Sequence, residues 1–110
     1  MIGGTVPPRE PEKIFVRIDV ALQDLIPQFL ANRRRDIETL QQALAESNFT
    51  VAQTLGHRLK GDGGGYGFEG ISEIGSLLEA AAARQDHAGI ERQVVKLADY
   101  LTRLDITFVQ

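Results

Sequence analysis

Gly56-His57-Arg58-Leu59-Lys60-Gly61-Asp62-Gly63-Gly64-Gly65-Tyr66-Gly67 is the stretch whose reading decides the fold. It holds one of the chain's 2 histidines and six of its 11 glycines. At about 100° per residue it has two faces. Ala52, Leu55, Leu59 and Tyr66 continue an apolar face that begins upstream. The opposite face carries His57, flanked by Thr50, Gln53, Lys60, Gly61 and Gly64. A glycine inside a helix is about 1 kcal/mol worse than alanine, so the four glycines between 61 and 65 cost roughly 3–4 kcal/mol if all are helical. Two readings stand side by side. In one, the helix continues and its bare surface admits another backbone, side chain or ligand. In the other, it ends at Gly61 and a glycine loop follows.

The residues around this stretch supply three more helices. Upstream, a first long helix is expected from about Val20 to Ala45, with Leu22, Leu25, Ile26, Phe29, Leu30, Ile37, Leu40 and Leu44 on one buried face. Asp19 is its N-cap. Pro27 falls inside this pattern and must either kink the helix or start its main body. Arg33-Arg34-Arg35 reads as a solvated, exposed face. The second helix begins at the cap Asn48, carries His57 and is broken at Gly67. A third spans about Phe68 to Arg84, with Ile71, Ile74, Leu78 and Ala81 inward. A fourth follows the cap Asp86, with Ile90, Val94, Leu97, Leu101 and Leu104 inward. Steps of three and four with short connections predict an all-α fold, an antiparallel up-down-up-down four-helix bundle. The β-branched runs at 14–20 and 106–109 lie at the same end of such a bundle, where residues 14–18 and 105–109 can meet as a small two-stranded patch. Residues 1–13, with three of the 4 prolines, read as a flexible leader, and 14–110 as the bundle domain.

The chain has 110 residues, enough for one domain with its own core. A formal charge of −3 leaves no electrostatic footprint for nucleic acid. With 0 cysteines, disulfides, thiol chemistry and thiolate zinc sites are excluded. No apolar run approaches a membrane span, and the N-terminal residues lack the charged region and apolar core expected of a signal peptide. A cytoplasmic location, no membrane partner and a monomer are the simplest expectations.

Several motifs fail on context. Gly65-Tyr66-Gly67-Phe68-Glu69-Gly70 spells the dinucleotide fingerprint, but that fingerprint needs a preceding strand and a βαβ unit. Lys60-Gly61 has the wrong order for a P-loop. Asn48-Phe49-Thr50 matches a glycosylation acceptor only formally. A metal centre needs convergent ligands; His57 and His87 have neither cysteines nor a glutamate three residues before them. No metal and no cofactor are expected. No nucleophile elbow accompanies His57, so a hydrolytic triad is also unsupported.

There remains a solvent-facing histidine with a lysine three residues on, sharing one helix face. Imidazole is a nucleophile that can be neutral near pH 7, and an ammonium beside it can offset phosphoryl charge. The glycines would let a second protein close over it. An exposed histidine is also ordinary polar surface, and on the residues alone both readings stay open.

His57-Arg58-Leu59-Lys60-Gly61, the glycine at 67, Ile71 and Leu78-Glu79 resemble the histidine-containing phosphotransfer (HPt) domain of two-component phosphorelays. The pattern is His-x-Leu-Lys-Gly, a glycine ten positions after the histidine, and a Leu-Glu near the end of the next helix. The likeness covers about residues 20–105. It implies a four-helix bundle whose second-helix histidine takes a phosphoryl group from a receiver-domain aspartyl phosphate and passes it on. Such domains have no kinase activity of their own. By that match His57 is the phosphoryl acceptor through Nε2 and Lys60 stabilises the phosphoryl charge. Gly61 and Gly64 leave clearance for the partner, and Gln53 belongs to the docking face. The implied partners are a response-regulator receiver domain and a histidine kinase or hybrid kinase; any magnesium belongs to the receiver. The sequence departs from the pattern at Asp62-Gly63-Gly64-Gly65, where family members often carry serine or alanine. Asp62 falls on a different face from His57 and is given no base role.

Three other functions compete with the phosphorelay. A helical adaptor could bind a receiver or kinase without accepting phosphate. A structural self-associating bundle would need an exposed apolar stripe beyond the core. An enzyme lacks a constellation.

Overall fold

The computed structural model of the chain describes residues 12–110. Residues 1–11, most of the leader expected over 1–13, lie outside the described residues. Glu12 and Lys13 are held: the Glu12 carbonyl accepts from Arg103 Nε at 2.6 Å, and Lys13 Nζ lies 3.5 Å from Asp105.

Strand β1 (Ile14–Asp19) leads through a 3₁₀ segment (Val20–Leu25) into helix α1 (Ile26–Ala45). Helices α2 (Phe49–Tyr66), α3 (Glu69–Ala83) and α4 (His87–Arg103) follow, then strand β2 (Leu104–Val109). The helix expected from Val20 is thus two pieces, and of the two readings of Pro27 the second holds: it starts the main body. It has no N–H to give, and its ring would meet the carbonyl of Gln23 in a continuous α-helix. The chain instead winds in 3₁₀ form, with Ile26 N–H bonded to Gln23 O, and starts its α-helix with the proline in the first turn. The change of period at this junction turns Leu25 out of the apolar stripe to 51% exposure, against the expectation that it is buried.

The three anticipated caps form. Asp19 accepts from Ala21 N at 2.8 Å, Asn48 from Val51 N at 3.2 Å, and Asp86 from Gly89 N at 3.0 Å. Between α2 and α3 the turn is made by Gly67 at φ 88, the left-handed region open to glycine.

Each helix meets its neighbour in opposite direction. Across α1 and α2, Phe29 stacks on Tyr66 and Arg33 reaches Asp62. Gly70 of α3 lies against Tyr100 of α4, and Gly89 against Ala81. His87 at the start of α4 comes within 3.2 Å of the Leu44 carbonyl at the end of α1. The enclosed core is built on Leu40, Leu59, Phe68, Ile71, Leu78 and Leu97.

Helices α2 and α3 approach most closely, because glycines face each other. A Cβ on Gly56 would sit 2.6 Å from Glu79 N. One on Gly63 would meet Ser72 N, and one on Gly75 would meet Lys60 N. All three glycines are buried.

The terminal segments do meet, and they run parallel, Ile14 opposite Leu104 through Asp19 opposite Val109. Leu104, expected as the last inward position of α4, is already extended (φ −63, ψ 133) and begins β2. The β-branched run Ile106-Thr107 with Val109 favours pleated backbone over a further helical turn. Ile18, Val16 and Ile14 face the core; Phe15 points outward at 75% exposure.

Candidate functional site

Helix α2 continues through the glycines to Tyr66, so the helical reading of the opening stretch is the observed one. Its apolar face is Ala52, Leu55 and Leu59, all buried. Opposite lie Gln53, His57, Lys60, Gly61 and Gly64, every one exposed. At about 100° per residue, each of the other four falls within roughly 60° of His57. One surface strip therefore gathers all five.

Around the histidine this strip is open. A Cβ on Gly61 or Gly65 would meet nothing within 4 Å, and one on Gly64 would only touch Ser72 Oγ at 3.9 Å. The bundle itself does not require these three glycines, in contrast to Gly56 and Gly63.

The His57 side chain is 77% exposed and is fixed at one nitrogen: Nδ1 lies 2.8 Å from Glu79 Oε2. A carboxylate only accepts, so Nδ1 carries the proton in this contact, and in the neutral ring Nε2 presents its lone pair to solvent. Glu79 reaches across because Gly56 and Gly75 bring the two helices together. The sequence contains Glu79 in a Leu-Glu pair, but its role depends on the α2–α3 register, which no local pattern reveals. Ser72 Oγ donates to the Lys60 carbonyl at 2.7 Å and ties α3 to the backbone one turn beyond the histidine.

Arg33 corrects the expectation of an exposed arginine run. Arg34 and Arg35 are exposed, but Arg33 is buried. Its guanidinium lies 4.7 Å over the Phe29 ring. Nη1 donates to Asp62 Oδ2 at 3.3 Å. Nε stands 2.8 Å from Asp36 Oδ2, an ion pair without hydrogen-bond alignment. Burial pushes the Asp36 carboxyl above its ordinary range, against the opposing pull of Arg33 and Arg58. An arginine three residues before an aspartate on the α1 face turned to α2 was the available hint, but the partner Asp62 is 29 residues away. Among the described residues, no group of three or more His, Asp or Glu side chains could hold a metal ion, and no helix is long and apolar enough to cross a membrane.

An all-α bundle that presents one oriented imidazole over a bare strip of helix is a carrier or docking module in form. The Hpt domain family model matches residues 24–107, and the chain belongs to that family. Its members are phosphocarriers of two-component systems, not kinases, and work with receiver domains and kinases. The match begins after β1 and ends before the last residues of β2. No curated protein and no solved structure matches the chain.

Proposed function

We propose that this chain is a phosphorelay intermediate. His57 Nε2 accepts a phosphoryl group from the aspartyl phosphate of a receiver domain, free or within a hybrid kinase, and passes it to a response regulator. One observation carries this reading: Nδ1 is engaged by Glu79 and Nε2 is left free on an exposed side chain.

In the transfer, the Nε2 lone pair attacks phosphorus, the bond from phosphorus to the aspartyl oxygen breaks, and the aspartate leaves as a carboxylate. The ring then carries positive charge, with its proton still on Nδ1 beside Glu79. Lys60, on the same face, offsets the phosphoryl oxygens. The reverse step regenerates neutral imidazole. Phosphoryl transfer needs in-line positioning and electrostatic support more than covalent help, so a nucleophile on a rigid helix suffices on this side. Gly61 and Gly64 let the partner close over the ring, and Gln53 extends the contact. All these groups come from one chain, so a monomer can act.

The test is transfer of labelled phosphate from a phosphorylated receiver, with His57→Gln as control. Acid-labile, base-stable label on the wild type alone is the expected result. No label across a panel of receivers, with binding retained, would instead make the chain a docking adaptor. Gly61→Gln is expected to block docking while leaving the circular dichroism spectrum unchanged; normal transfer by that folded variant would remove the clearance role.

A further inference from the structure

Between Gly61 and Gly65, helix α2 has a single residue with a side chain, Asp62. Gly63 is required by the backbone of α3, but Gly61, Gly64 and Gly65 are not required by any packing neighbour. Each is a weaker helix former than alanine. They also fall in the last turns of α2, where carbonyls run out of intrahelical partners and helices open first. Nevertheless the segment is helical to Tyr66.

Besides the Ser72 Oγ bond to the Lys60 carbonyl on the α3 side, two sets of contacts hold it. At its end, Phe68 N–H bonds to Gly63 O at 2.7 Å and Gly67 N–H to Gly64 O at 3.3 Å. On the α1 side, Phe29 serves three partners: Tyr66 stacks on it at 4.3 Å, Phe68 at 5.2 Å, and the Arg33 guanidinium lies over it at 4.7 Å. Arg33 then spans to Asp62 at 3.3 Å. A buried cation is expensive to leave unpaired, so the pull between Arg33 and Asp62 acts on the middle of the glycine run. Asp36 cannot replace it, because it lies on Arg33's own helix.

We propose that Arg33 is a positioning residue: through Asp62 it keeps the glycine half of α2 helical and so fixes the bare strip beside His57. The clamp stands on geometry alone. Its consequence for the partner rests on the phosphotransfer reading.

Amide hydrogen exchange tests the clamp in the full chain. In Asp62→Asn, near-isosteric and at a part-exposed site, amides 61–67 should exchange about tenfold faster or more, the scale of one charge-assisted bond. Amides of α4 should be unaffected. Asp36→Asn, which removes the same-helix partner, should leave 61–67 protected, and Asp62→Glu should retain most of the protection. In the transfer assay, Asp62→Asn should raise KM for the phosphorylated receiver several-fold with kcat nearly unchanged. Unchanged protection in Asp62→Asn, or equal loss in Asp36→Asn, overturns the clamp. Faster exchange with wild-type KM overturns the positioning role. If the wild type accepts no phosphate, the proposed function fails, and the exchange data still decide the clamp.

Discussion

His57 and Glu79 are exposed enough that their contact is worth little to stability, and its value lies in direction. Glu79 fixes which ring nitrogen is free. On the phosphotransfer proposed above, Glu79→Gln retains the shape but gives up the charge opposite the phosphorylated, positively charged ring. The expected cost is about tenfold in transfer rate, roughly 1.4 kcal/mol, with the far-UV spectrum unchanged. Stopped transfer at fixed receiver concentration measures it, and an undiminished rate would remove Glu79 from the mechanism. Asp36 supports a different experiment. Its folded-state carboxyl is raised by burial, so the folded protein binds this proton more tightly than the unfolded chain does. Stability from this group is therefore present below the ordinary carboxylate value and is lost as pH rises through the raised one. Urea unfolding across that window should show wild type gaining on Asp36→Asn as pH falls. A difference independent of pH would contradict the shift. At this scale local spacing put His57, Lys60 and Gly61 on one exposed face, as they lie in the structure. It hid Glu79 and Asp62, whose partners lie 22 and 29 residues away.

At the scale of the element, the glycines of α2 and α3 divide into two groups with opposite expected behaviour. Gly75→Ala, facing α2 across the interface, would drive a methyl into the Lys60 backbone. It should cost about 1–3 kcal/mol, and the helices can relieve it only by moving apart. Gly65→Ala meets open space and should stabilise by up to about 1 kcal/mol. In thermal melts these become a fall and a rise of roughly 4 °C or more per kcal/mol. The same sign for both substitutions would contradict the division. Helical periodicity made the existence of all four helices legible, together with three caps. It could not tell a glycine that admits a neighbouring helix from one that faces solvent. That distinction belongs to the α2–α3 register. Likewise the stripe from Leu22 to Leu44 is continuous in periodicity, and only the missing donor at Pro27 told where the main body starts.

On the scale of the whole molecule, the ribbon of β1 and β2 lies at one end of the bundle, with β1 outside the family match and residues 104–107 of β2 inside it. It is part of the core nonetheless. Ile18 is 1% exposed, and its Cδ1 would lie 3.1 Å from a Cβ on Gly67, at the turn that ends α2. Ile18→Ala should therefore destabilise the molecule by about 2–5 kcal/mol in chemical unfolding. A loss near zero would mean that the ribbon is a passenger. Alternating β-branched residues made the strands legible, but not their relative direction, because alternation is the same in either sense. That direction has a mechanical consequence. Because the strands run parallel, the polypeptide enters at the Ile14 end and leaves at the Val109 end, roughly 17 Å apart along the ribbon. Tension applied between Ile14 and Val109 would pull the strands past each other and load their cross-strand bonds together, in shear. An antiparallel pair entered and left from one end would unzip bond by bond. The bundle carrying His57 is thus fastened by a joint that resists stretching along the chain far better than peeling across it.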